Sequence, residues 1–101
     1  MRIRKTNIFK KWLRKLNDSR ARYRINIRLK RLEEGNPGDV KPTGEGITEM
    51  RIDYGQGYRV YYKDIGNEII ILLCGGDKST QEENIARAKK IAASPLEEEE
   101  D

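Results

Sequence analysis

Gly57-Tyr58-Arg59-Val60-Tyr61-Tyr62 is the stretch on which the reading of this chain turns. Successive side chains of a β-strand point to opposite faces, so bulky apolar residues at alternate positions mark a buried side. Tyr58, Val60 and Tyr62 then face inward, and Arg59, Tyr61 and Lys63 outward. Gly55-Gln56-Gly57 just before it is a turn, and Ile47 to Tyr54 is a second strand with the same alternation. Met50, Ile52 and Tyr54 point one way, while Glu49, Arg51 and Asp53 point the other. The two segments form a hairpin whose outer face carries two arginines, a tyrosine, a lysine and two carboxylates.

Working outward, Asp64-Ile65-Gly66-Asn67 is a second turn, and Glu68 to Cys74 is so continuously apolar that it predicts a central strand buried on both faces. Gly75-Gly76 ends that strand. Ser79 or Thr80 caps a final helix, with Glu82 or Glu83 completing a capping box. Ile85, Ala88 and Ala92 form its apolar side, and Ser94-Pro95 stops it. Upstream, residues 1–5 fit a short edge strand. Thr6 or Asn7 then caps a helix whose stripe is Phe9, Trp12, Leu13 and Leu16. Residues 18–34 match both a strand alternation and a helical stripe. Their length, Asp18 as N-cap and Gly35 just past the end favour helix. Gly35-Asn36-Pro37-Gly38 is a turn, Asp39 to Pro42 is extended or loop, and Thr43 to Gly46 is flexible. The expected order is strand, helix, helix, three antiparallel strands, helix. This is an α+β domain whose helices cover one sheet face and leave the other partly open.

The chain has 101 residues, enough for one domain with a modest core. No apolar run approaches the ~20 residues that cross a bilayer. Charges interrupt the N-terminal segment wherever a signal peptide would be apolar. Cys74 is the single cysteine and histidine is absent, so neither a zinc site nor any other cofactor is expected, and cytoplasmic residence is the simplest reading. Residues 1–31 hold 13 of the 21 lysines and arginines against one acid, Asp18, whereas residues 97–101 are all acidic. A basic front calls for a polyanionic partner, nucleic acid before membrane. The acidic end, residues 96–101, is expected to be a disordered tail on a domain spanning 1–95.

Glu49, Arg51, Arg59, Tyr61, Lys63, Lys78 and Gln81 are the residues that chemistry could use, with Lys41 as a further cation for RNA. Cutting RNA without a metal needs a base for the 2′-hydroxyl, cations for the charge that builds on phosphorus, and an acid for the leaving oxygen. Arginine suits the second task because its planar fork grips a phosphate and keeps its proton. Glu49, or a lysine whose pKa is lowered by crowding, is the candidate base. Lys78 or another lysine is the candidate acid. Tyr61 could stack on a base. Structural roles stand beside these: Glu49 and Arg51 as cross-sheet ion pairs, Asp77 as a turn former, Cys74 and Trp12 as core.

Taken together, Phe9-x-x-Trp12-Leu13, Arg28-Leu29-x-Arg31-Leu32-Glu33-x-Gly35-Asn36-x-Gly38-Asp39, Glu49-Met50-Arg51-Ile52, Gly57-Tyr58-Arg59-Val60-Tyr61-Tyr62 and Gly75-Gly76-Asp77-Lys78-x-Thr80-Gln81 resemble the addiction module killer proteins. These are HigB-like toxins of the RelE/ParE toxin–antitoxin superfamily. The resemblance implies a RelE-like fold, with two N-terminal helices packed on a small antiparallel sheet plus a C-terminal helix. It also implies an mRNA interferase that cuts messenger RNA in the ribosomal A site, and a cognate antitoxin, commonly a helix-turn-helix protein. Arg51, Arg59 and Lys78 match positions that act on the scissile phosphate in RelE-like toxins. Glu49 stands where RelE carries a lysine, and residues 79–101 contain no tyrosine to match its C-terminal catalytic one. The alternatives are a ParE-like, non-enzymatic inhibitor of DNA gyrase and a non-toxic RNA- or protein-binding module.

Overall fold

The structure, a computed structural model, describes residues 1–94 and 98–100. Strand β1 (Arg2–Thr6) leads into helix α1 (Asn7–Lys15), followed by α2 (Ser19–Glu33). Strands β2 (Val40–Gly44), β3 (Ile47–Ile52), β4 (Tyr58–Gly66) and β5 (Ile69–Asp77) follow. A 3-10 turn (Lys78–Thr80), helix α3 (Gln81–Ala93) and a short strand β6 (Glu98–Glu100) complete the order. The α+β class is as expected. Residues 18–34 are helical: the Asp18 carboxylate accepts from the backbone N–H of Arg20 and Ala21, and Ala21, Ile25, Leu29 and Leu32 form the buried stripe. Thr6 caps α1 by accepting from Phe9 N–H at 3.0 Å, while its hydroxyl donates to the Leu73 carbonyl at 2.7 Å.

The sheet departs from expectation in four ways. It is mixed, in the order β2-β3-β4-β5-β1-β6, because β1 runs parallel to β5 while the other pairs are antiparallel. A parallel pair needs a crossover, and α1, α2 and the β2–β4 meander supply it. Residues 40–44, expected to be extended or loop as far as Pro42 and flexible beyond it, form β2 on β3. Glu45 and Gly46 close that hairpin with φ of 55° and 78°, the left-handed values a two-residue turn demands. The second turn falls at Asn67 and Glu68 instead of 64–67, again with positive φ, and β4 runs on to Gly66. Nor is β1 an edge, since Glu98–Glu100 lies antiparallel beside it, Arg4 opposite Glu100. Of the acidic end expected to be a disordered tail, residues 96–101, only 98–100 lie within the described residues, as β6.

The helices also divide between the two faces. Phe9, Ala21, Ile25, Leu29 and Leu32 of α1 and α2 pack on Met50, Ile52, Val60, Tyr62 and Leu72. On the opposite face, Ala88 of α3, with Ile85, Ile91 and Ala92 beside it, packs on Ile47, Tyr61, Ile71, Leu73 and Cys74. The face expected to stay open is therefore roofed along much of its length. The reason lies in β5, whose apolar residues alternate to both sides and require a cover on each.

Gly75 and Gly76 let the two layers close at one point. A Cβ on Gly75 would overlap the Trp12 ring of α1, and one on Gly76 would overlap the Asn84 amide of α3. Consecutive residues on one strand thus admit a helix from each side.

Candidate functional site

The alternation read from the hairpin holds. Glu49 pairs with Tyr61 and Arg51 with Arg59 across β3 and β4, so all four lie on one face, as expected. What changes is their exposure. Tyr61 and Glu49 are 0% exposed. The Arg59 side chain is 11% exposed. Tyr61 is therefore corrected from a surface ring to a core residue: α3 covers it, and no base can stack on it in this arrangement.

Glu49 sits at the centre of a closed polar cluster. Its Oε1 accepts from Arg59 Nη1 at 3.1 Å. Its Oε2 accepts from Tyr61 Oη at 3.1 Å and from Gln81 Nε2 at 2.9 Å. Three donors, one of them cationic, surround this buried carboxylate, the condition under which burying such a group is tolerated. Glu49, expected as a candidate base on an open face, is instead placed in the interior, where it anchors Arg59. Burial, and then the neighbouring Glu49 charge, pushes the Tyr61 phenol well above its ordinary value. It stays a protonated donor. Gln81, read as an RNA contact, instead ties the start of α3 to this cluster.

Arg51 is placed differently. Its side chain is 41% exposed and donates from Nη2 to Asp39 Oδ1 at 2.9 Å. The Asp39 carbonyl accepts from Arg51 N–H, and Arg28 reaches across from α2 to the Arg51 carbonyl at 2.5 Å and the Asp39 carbonyl at 3.2 Å. Asp39 and Arg28 went unnoticed in the sequence because residues 39–44 read as loop; once β2 is paired with β3, their proximity to Arg51 follows. The Nε atoms of Arg51 and Arg59 are buried and have no hydrogen-bond partner among the described residues.

Lys78 is exposed at the end of β5, its N–H bonded to the Gly57 carbonyl at 2.8 Å, which places it beside the start of β4. Asp77 shapes this turn, accepting from Ser79 N–H at 2.9 Å; the Ser79 hydroxyl, above all, holds the Asp77 carboxyl below its usual range. The expected capping box is not formed: Thr80 makes no side-chain cap bond and receives the Asn84 amide instead. Lys41 is exposed opposite Glu49 on β2, and Lys63 is half-buried near Gly46. Cys74 is buried, its thiol pushed up to about 11 by that burial. The site is thus a pair of opposed arginines, one anchored inside and one at the rim, with Lys78 toward one end and Lys41 and Lys63 toward the other.

A family profile described as phage derived protein Gp49-like matches residues 11–94. The chain belongs to the Gp49-like family. This is a toxin-like family related to toxin–antitoxin systems. The chain is also 53% identical over 92 residues to an uncharacterized protein of Haemophilus influenzae, covering 91% of this chain and 93% of that one. No solved structure matches it at a significant level. Among the described residues, no helix of this Gp49-like protein is long and apolar enough to cross a membrane.

Proposed function

We propose that this Gp49-like protein is the toxin of a type II toxin–antitoxin pair, a HigB-like member of the RelE/ParE superfamily that cuts messenger RNA on the ribosome and so stops translation. The observation that carries the reading is the opposition of Arg51 and Arg59 on one sheet face, each with an Nε–H that no group among the described residues accepts. Two guanidinium groups at that spacing suit the charge that accumulates on a phosphate during attack by a 2′-hydroxyl. In this reading Glu49, Tyr61 and Gln81 hold Arg59 in place before substrate arrives. Arg51 exchanges Asp39 for a phosphate oxygen at the rim. Lys78, exposed beside the hairpin, donates a proton to the leaving oxygen while solvent water takes the proton of the attacking 2′-hydroxyl, and Lys41 and Lys63 attract the strand. Positioning supplies most of the catalysis. The partners are messenger RNA in the ribosomal A site and a cognate helix-turn-helix antitoxin that silences the toxin.

A second reading, ParE-like gyrase inhibition without catalysis, draws on one observation: Glu49 neutralises Arg59 internally, leaving less free charge than a nuclease site would use. Primer extension on transcripts from induced cells separates the two. Codon-phased cuts are expected, and they disappear in Arg51→Ala, whose exposed side chain leaves folding intact, and in Arg59→Lys, which keeps the charge beside Glu49 but loses the fork. Growth arrest with relaxed plasmids and uncut messages overturns the nuclease in favour of gyrase.

A further inference from the structure

Apart from Arg28, the cations of α2 play no part in the site just described, yet Arg20, Arg24 and Arg31 share one surface with that arginine. A groove of volume ≈ 640 Å³ runs between the outer side of α2 and the end of β3. Arg20, Tyr23, Arg24, Ile27 and Arg31 line it along the helix, at the i, i+3, i+4, i+7 and i+11 spacings that share a face. Ile52 and Asp53 form its other wall. Tyr23 is 67% exposed, the most exposed large side chain of the molecule's described hydrophobics. Arg24 lies over the Tyr54 ring at 4.8 Å, which holds its guanidinium up beside the groove.

We propose that this groove is a second nucleic-acid contact, binding the backbone of single-stranded RNA while Tyr23 stacks on a base. Three features favour RNA over an acidic helix of a protein partner. A partner helix needs a row of apolar anchors at helical spacing. Here the only aliphatic lining is Ile27, half-buried, and Ile52, which is buried. An aromatic ring set among arginines is instead the platform that unpaired bases and phosphates use together. The groove is also continuous with the arginine pair: Arg28 lines it and binds the Arg51 and Asp39 carbonyls at its end. A strand leaving Arg51 can turn the corner at Asp39 and run along α2. The proposal rests on the RNA reading above and deepens it, by extending the contact from one phosphate to several nucleotides.

The test reads binding alone. The full chain is titrated against a fluorescent, 2′-O-methylated single strand of about 20 nucleotides, longer than the ~4–16 that such surfaces cover. The modification blocks cleavage, so binding is read independently of it: binding here together with uncut messages in the primer-extension assay fails the nuclease reading and keeps this one. Tyr23→Ala is expected to raise Kd about 5- to 100-fold, the effect of losing one stacked base. Combined Arg20→Gln, Arg24→Gln and Arg31→Gln is expected to lower the slope of log Kd against log salt by about 2, from ~0.7 per phosphate on a single strand. Circular dichroism checks that the triple variant folds; if it does not, Tyr23→Ala, at an exposed position, decides alone. Unchanged Kd in Tyr23→Ala overturns the proposal. So does tighter, Tyr23-dependent binding of a polyglutamate peptide, which would assign the groove to an acidic protein.

Discussion

Arg51 and Arg59 stand directly opposite each other on β3 and β4, and each guanidinium turns to a different carboxylate: Asp39 at the rim for Arg51, Glu49 in the interior for Arg59. Like charges at opposed positions destabilise a sheet. The two carboxylates relieve that repulsion, one beneath α3 and one in water. The pair is consequently asymmetric, with a fixed member and a member free to exchange its partner.

The fixed member makes Glu49 a residue of stability. Removing it leaves Arg59 largely buried without its anion, so Glu49→Ala is expected to cost about 3–5 kcal/mol in urea unfolding. Replacing both, Glu49→Leu with Arg59→Met, should restore much of that loss, because it removes the buried charge as well as its partner. A Glu49→Ala variant within about 1 kcal/mol of the parent, below the usual cost of an orphaned buried charge, would show that the cluster is open to water in solution.

Gly75 and Gly76 should resist alanine for different reasons. A methyl group at 75 presses on Trp12 and one at 76 on Asn84. Overpacking of this kind costs about 1–3 kcal/mol. For a domain of this size each kcal/mol lowers Tm by roughly 4–8 °C. Trp12 is the single tryptophan. Its emission should therefore shift in Gly75→Ala and stay unchanged in Gly76→Ala; identical spectra for the two variants would contradict the placement of α1 and α3 on opposite faces.

Asp18 gives a pH dependence with a definite sign. Its carboxyl lies below the ordinary value because the Ala21 N–H, foremost, donates to the charged form, with Tyr54 and Arg20 adding to the effect. A carboxyl whose pKa is lower folded than unfolded stabilises the fold fully above its unfolded value, near 3.8, and ceases to do so as pH falls through its folded value. Asp18→Ala should therefore melt below the parent at neutral pH, and the gap should close as pH drops below that window. A gap that persists undiminished in acid would mean that the charge is not what caps α2.

The strands were legible where alternation was clean. Tyr58, Val60 and Tyr62 lie on the side expected of them, and so do Arg59 and Tyr61, because a pleated strand allows no other division. The helix over 18–34 was legible from Asp18, Gly35 and its length. β2 was not, since Val40-Lys41-Pro42-Thr43-Gly44 has weak strand propensity and acquires its form by pairing with β3. The burial of Glu49 and Tyr61 was missed for a related reason: which sheet face α3 covers depends on the path of the chain after Gly76, which no local pattern encodes. A hint was present in the unbroken apolar run of β5, which already required layers on both sides.

Local chemistry alone settled the three helices and the strands β3 to β5 of this chain, the shared face of Arg51 and Arg59, and the concentration of positive charge in the first third, because periodicity and capping act over a few residues. Packing decided what those residues are free to do. Whether a charged side chain meets water or a neighbouring carboxylate depends on segments distant in sequence: Gln81 is 32 positions from the Glu49 it binds, and Arg28 is 23 from Arg51. Desolvation and ion pairing are set only when such segments close over one another.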